Sequence, residues 1–171
     1  LFNPLERDYQ AHKTAIDQAT QRVLGSGYYV LGPECLGFER QLSDYLGSRY
    51  AVGVANGTDA ITLSLMALGV GDGDEVIVPN ITAFPTLVGV YRAGATPIIV
   101  DILPSDGLID PQSIQSAITG KTRAIVPVHL YGQSADMDSI MAIAKTHGLY
   151  VVEDCAQACG ATYKGQRVGT I

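Results

Sequence analysis

Tyr150-Val151-Val152-Glu153-Asp154-Cys155-Ala156-Gln157-Ala158 is a short apolar run that ends in acid, with an amide three residues after Asp154. A run of this kind reads as a buried strand. Buried strands that alternate with helices, as they do along this chain, belong to mainly parallel sheets covered on both faces. In such open sheets, ligands bind outside the carboxyl ends of the strands. Asp154 stands at that end. An acid fixed there can hold a buried cation, or it can cap a following helix.

Working outward from this strand, the chain alternates helix and strand. Residues 8–24 have helical spacing, with Ile16, Ala19 and Val23 on one face, and Gly25-Ser26-Gly27 breaks the pattern. Residues 34–46 form a second helix, with Phe38, Leu42 and Tyr45 in register and Gly47 as its C-terminal cap. Residues 50–55 read as the first strand, and 58–68 as a strongly apolar, buried helix. Strands follow at 75–78, 97–100, 123–128 and 150–153. Helices are expected at 82–93, with Pro85 in the first turn, at 110–118, opened by Asp110-Pro111, and at 135–147, closed by Gly148. Tyr163-Lys164-Gly165-Gln166 reads as a hairpin. The expected fold is therefore α/β: three layers, a mainly parallel sheet with helices on both faces.

The bulk numbers agree with an ordinary globular chain. It has 171 residues, enough for one domain with a substantial core, and is 47% hydrophobic and 16% charged. Its apolar runs are too short for a membrane span, and no basic and apolar leader opens it. A net charge of −6 without a Lys/Arg cluster argues against a nucleic-acid partner. An odd cysteine count (Cys35, Cys155, Cys159) suggests reduced thiols and a cytoplasmic location. No second Cys pair or His pair completes a zinc site, so no metal is expected. The missing initiator Met and the ending at Val168-Gly169-Thr170-Ile171 suggest a piece of something longer.

Three segments carry chemistry. The first is Asp154 with Gln157; one cation that Asp154 can hold is the protonated ring nitrogen of pyridoxal phosphate (PLP). The second is Asn56-Gly57-Thr58-Asp59, where a glycine opens a helix. First-turn amides have no intrahelical partner and favour a phosphate, and Thr58 adds a hydroxyl. The Asp59 carboxylate would repel that anion unless it faces away or caps the helix. The third is Pro127-Val128-His129-Leu130-Tyr131-Gly132, which puts His129 and Tyr131 at the same sheet edge as Asp154. His129 can meet substrate or cofactor, or bond a loop carbonyl. Asp101, Asp106 and Asp110 read as loop acids and caps. No Gly-x-Ser-x-Gly elbow or Walker loop supports hydrolase or P-loop readings.

These words in this order resemble the DegT/StrS-type sugar aminotransferases. The resemblance rests on Gly27-Tyr28-Tyr29-Val30-Leu31-Gly32, Asn56-Gly57-Thr58-Asp59-Ala60, Gly73-Asp74-Glu75-Val76-Ile77-Val78-Pro79, Pro127-Val128-His129-Leu130-Tyr131-Gly132 and Glu153-Asp154-Cys155-Ala156-Gln157-Ala158. It implies PLP as cofactor and the fold type I architecture, with residues 1–171 as the N-terminal part of the PLP-binding large domain and the rest of that domain and the small domain lying beyond. It also implies roles: Gly57, Thr58 and Asp59 at the cofactor phosphate, Asp154 as the catalytic partner of the pyridinium nitrogen, and Gln157 at the ring hydroxyl. His129 and Tyr131 are read toward substrate from their own place at the strand end.

The implied reaction moves an amino group from glutamate to a keto sugar carried on a nucleotide, in a homodimer. Where many members have an aromatic residue stacking on the ring, this chain has Ala83. The wording Thr82-Ala83-Phe84-Pro85-Thr86 is closer to the branch that makes 3-amino-3,6-dideoxy sugars from 3-keto sugars. The family's Schiff-base lysine belongs to a later segment, and Lys164 comes too early to be it. A PLP-dependent sugar dehydratase and a non-catalytic regulatory relative remain alternatives.

Overall fold

The computed structural model describes residues 4–171. Two compact units divide the chain, one up to Gly53 and one over Val54–Ile171.

The first unit holds α1 (Leu5–Ser26) and α2 (Pro33–Leu46). Both end on a glycine in the left-handed region, Gly27 at φ 66° and Gly47 at φ 76°, where a side chain would be strained. Arg22 Nε donates to Glu34 Oε1 at 2.8 Å. Neither helix buries a residue. The apolar spacing read in the sequence is present, yet Ile16, Phe38 and Tyr45 are exposed. The strand expected at 50–55 does not form: Tyr50 and Val52 are exposed and the segment has no ladder partner among the described residues. Extended propensity makes a strand only where a neighbour completes its backbone bonds.

The second unit is built on a parallel four-stranded sheet in the order β2-β1-β3-β4, made of β1 (Glu75–Pro79), β2 (Thr96–Val100), β3 (Thr122–Ile125) and β4 (Tyr150–Val151). The central strand explains the layering. Val76 and Val78 point to one face and Ile77 to the other, and all three are completely buried. The first face packs Ile61 and Leu65 of α3 (Gly57–Ala67) and Val90 of α4 (Phe84–Arg92). The second packs Ile114 of α5 (Pro111–Ala117) with Met137, Ile140 and Ala144 of α6 (Met137–His147). The three-layer reading holds.

Local signals act as read. Asp110 accepts from the amides of Gln112 and Ser113 ahead of Pro111, and Gly148 closes α6 at φ 67°. The helix expected to be buried, α3, is buried on one side only: Leu63 and Met66 are exposed. Strands β3 and β4 are shorter than expected, and beyond them only the bridge Val128–Asp154 continues the pairing. A hairpin of β5 (Thr162–Tyr163) and β6 (Gln166–Arg167) turns at Lys164-Gly165. Among the described residues, no helix is long and apolar enough to cross a membrane.

Candidate functional site

The candidate residues gather at the carboxyl edge of the sheet. From β1 the chain goes to β2 on one side, while β3 lies on the other. That reversal opens the crevice in which α/β sheets bind ligands. Thr82 and Ala83 follow β1, His129 and Tyr131 follow β3, and Asp154 and Gln157 follow β4. A cavity of about 250 Å3 is lined by Gly57, Ala60 and Ile61 of α3 together with Val152, Asp154 and Cys155. The N-terminus of α3 and the acid after β4 therefore share one space.

At that N-terminus, Asn56 is the cap: its Oδ1 accepts from the Asp59 amide at 2.9 Å. The amide expected from Asp59 is thus spent inside the helix, which leaves those of Gly57 and Thr58 to face a ligand. Space beside Gly57 is open, with nothing within 4 Å of where a Cβ would sit. The Asp59 carboxylate is turned onto Arg92 at 2.7 Å and onto the Asn56 amide nitrogen at 3.1 Å. Its charge is paired, which removes the repulsion expected beside an anion.

Asp154 is pinned four ways. Its N–H donates to Pro127 O at 2.9 Å and its C=O accepts from His129 N at 3.0 Å. Oδ1 accepts from the Ala156 amide at 3.1 Å, and Oδ2 accepts from the Thr86 hydroxyl at 2.9 Å. Ala83, the N-cap residue of α4, is exposed and presents only a methyl group. Gln157 is exposed and its Oε1 accepts from the Tyr131 amide at 3.1 Å. Tyr131 is 74% exposed and held at φ 56°, a conformation that a residue with a bulky side chain rarely takes without a constraint.

His129 departs from expectation. It is completely buried, and both ring nitrogens are engaged. Nδ1 accepts from the Ala135 amide at 3.1 Å, so Nε2 carries the hydrogen and donates it to Glu153 at 3.0 Å. The substrate contact read for His129 therefore falls away; it braces the loop after β3 against Glu153. Burial pushes the Glu153 carboxyl up, but hydrogen bonds from His129, Gly169 and Ile171 outweigh it and hold it below the usual carboxylate range.

His129, Glu153 and Cys155 present ligand atoms within 4.8 Å of one another. Those atoms are committed elsewhere. The imidazole and carboxylate bond each other, and burial, then Glu153 and Asp154, push the Cys155 thiol up to about 12, against the thiolate a metal needs. Lys164 lies in the hairpin turn, 68% exposed and paired with Asp138, away from these residues.

Thr86, Glu153 and Arg92 were not singled out from the sequence. For Thr86 a signal existed: Thr82 and Thr86 are spaced i, i+4 across a helix start. For Arg92 and Glu153 the partners are distant in sequence, and no local pattern points to them.

Residues 10–171 match the family model described as the DegT/DnrJ/EryC1/StrS aminotransferase family. The chain is 48% identical over 170 residues to the dTDP-3-amino-3,6-dideoxy-alpha-D-galactopyranose transaminase of Aneurinibacillus thermoaerophilus, covering 99% of this chain and 47% of that protein. It is 49% identical over 166 residues to the UDP-2-acetamido-2-deoxy-3-oxo-D-glucuronate aminotransferase of Pseudomonas aeruginosa, covering 97% and 46%. Among solved structures, S. venezuelae DesV in complex with a ketimine intermediate superposes with a TM-score of 0.95 at 47% identity, covering 98% of this chain and 45% of that one. The chain spans about half the length of the curated relatives it matches.

Proposed function

Because this chain belongs to the DegT/DnrJ/EryC1/StrS aminotransferase family, we propose that the protein carrying it uses PLP to move an amino group from glutamate to a 3-keto deoxy sugar linked to a nucleotide. The observation that carries this reading is one cavity lined by both the amino end of α3 and Asp154. One end suits a phosphate and the other suits a cation, the two charged ends of PLP. The sugar class is supported by the 3-amino-3,6-dideoxy product in the name of the A. thermoaerophilus relative.

The residues fit the cofactor. The amides of Gly57 and Thr58, with the Thr58 hydroxyl, would bind its phosphate, and Arg92 would keep the Asp59 charge from opposing it. Asp154 would hold a proton on the ring nitrogen. Gln157 would reach the ring hydroxyl with its amide NH2, since its Oε1 already accepts from Tyr131. Ala83 would touch the ring without stacking on it. Tyr131, strained and exposed, would face the substrate. Bound PLP supplies an electron sink, which is effective while the ring nitrogen stays protonated. What Asp154 contributes is a fixed negative charge at that atom, already ringed by donors and so not reorganised during reaction.

We further read residues 1–171 as the N-terminal part of the large domain, in a homodimer acting in the cytoplasm; three free thiols support a reducing compartment. The test of function is to supply glutamate and a dTDP-linked 3-keto-6-deoxyhexose and to follow products by mass spectrometry. Formation of 2-oxoglutarate with an aminated nucleotide sugar is the expected result. Loss of a sugar hydroxyl without amination would instead indicate the dehydratase.

A further inference from the structure

Thr86 lies in the first turn of α4 and is 1% exposed. Its hydroxyl oxygen is 2.9 Å from Asp154 Oδ2 and 2.8 Å from the Thr82 hydroxyl oxygen. With Asp154 ionised, the direction of both bonds is fixed. A carboxylate only accepts, so Thr86 spends its single proton on Asp154. Thr82 must then donate to Thr86. Two hydroxyl dipoles in series point at one carboxylate oxygen, and each bond in such a chain strengthens the next.

On the other oxygen, Asp154 accepts from the Ala156 amide at 3.1 Å. The acid is therefore held by donors from two elements, its own loop and the helix after β1. Asp154 lies close enough to Cys155 to help push its thiol up, and from α4 it is Thr86 that bonds the carboxylate, with Thr82, just ahead of the helix, bonding Thr86. Pro85 and the extended Ala83 set the start of α4, so that Thr82 and Thr86 fall on one side, four residues apart.

We propose that Thr86, aligned by Thr82, is a positioning residue that holds the Asp154 carboxylate oriented toward a ring nitrogen. This rests on the reading of Asp154 as the partner of the PLP pyridinium. Thr86 touches neither substrate nor cofactor; it acts through the carboxylate. A hydrogen bond to a charged group accounts for about a tenfold equilibrium effect when it is removed, and the Thr82 bond one step further out accounts for less.

The test compares wild type with Thr86→Val, which keeps the shape and loses the hydroxyl, with Thr86→Ser, which keeps the hydroxyl, and with Thr82→Val. Two readouts are taken on the protein carrying this chain: the PLP dissociation constant, and the 15N NMR shift of ring-labelled PLP, which reports whether the ring nitrogen is protonated. The expected result for Thr86→Val is PLP binding about 10-fold weaker and a ring-nitrogen resonance moved toward the unprotonated position. Thr86→Ser should stay near wild type and Thr82→Val should fall between. An unmoved affinity and resonance in Thr86→Val, with wild type still binding PLP, overturns the role of Thr86 alone. If wild type binds no PLP, the cofactor reading fails and the proposal falls with it. Equal losses in Thr86→Val and Thr86→Ser also overturn it, because packing rather than the hydroxyl would then be responsible.

Discussion

Replacing Gly89 by alanine tests the packing that sets the amino end of α3, where the phosphate is proposed to bind. Gly89 is buried on α4, where it meets α3. A Cβ there would lie 2.9 Å from both Cβ and Cγ2 of Ile61 and 3.2 Å from the Thr58 carbonyl oxygen. The carbon contacts are about 0.6 Å too close. Neither Ile61 atom can swing aside: Cβ is fixed to the backbone, and Cγ2 sits on a β-branched carbon with stiff χ1.

The two helices must therefore separate. Overpacking of this kind costs about 1–3 kcal/mol, and three close contacts with atoms that cannot move place this case in the upper part, about 2–3 kcal/mol. Alanine regains about 1 kcal/mol of helix propensity over glycine. The clash wins, and the net destabilisation should be about 1–2 kcal/mol, read as a fall of roughly 0.5–1 M in the urea midpoint. Because α3 carries the Gly57 and Thr58 amides, PLP binding should weaken about 10-fold as well, which corresponds to about 1.4 kcal/mol. Gly37→Ala is the control: it lies within α2 with nothing inside 4 Å of its Cβ. It should stabilise by about 0.5–1 kcal/mol. Should Gly89→Ala prove as stable as wild type, the close α3–α4 contact is wrong.

Asp154→Asn should lower transamination by about 100-fold or more, with the protein still folded by circular dichroism; near-wild-type turnover would remove Asp154 from the chemistry. Glu153 ties stability to pH. Its folded-state carboxyl lies below the usual value, so its contribution is complete above a pH of about 4.3 and is lost as pH falls through the folded value. Glu153→Gln should cost about 1–3 kcal/mol at neutral pH and flatten that acid limb, measured by denaturation across pH. Cys155, pushed up to about 12 by burial and then by Glu153 and Asp154, should react with iodoacetamide at pH 8 about 100-fold more slowly than exposed Cys35 or Cys159, as followed by peptide mass spectrometry.

Sequence disclosed most where a local rule decides the outcome. Asp110-Pro111 and Gly148 mark helix ends through backbone chemistry within a few residues, and each acts so in the structure. The apolar runs Val76-Ile77-Val78 and Ala124-Ile125-Val126 are buried on both faces, as the alternation of strands and helices along the chain implies for a covered parallel sheet. Asp154 was legible because a strand end fixes where its residue points. What the sequence did not disclose depends on partners far along the chain. Residues 50–55 have strand-like composition but no neighbour to pair with among the described residues. Ile16, Phe38 and Tyr45 keep helical spacing, which defines a face without saying what covers it. His129 looked like a ligand because histidine at a sheet edge often is one. Its role depended on Glu153 and the Ala135 amide, distant in sequence or without a side-chain signal. Thr86 had only its i, i+4 spacing from Thr82 to mark it, and a buried threonine reads as packing until its carboxylate partner is known.

The central claim is that one cavity holds a phosphate at α3 and a protonated ring nitrogen at Asp154. The most direct measurement is the absorbance spectrum of the protein carrying this chain, with PLP added and then glutamate. A protein-bound visible cofactor band that glutamate converts to the shorter-wavelength pyridoxamine phosphate form is the predicted result. A spectrum identical to free PLP, or a bound band that glutamate leaves unchanged, would contradict the account.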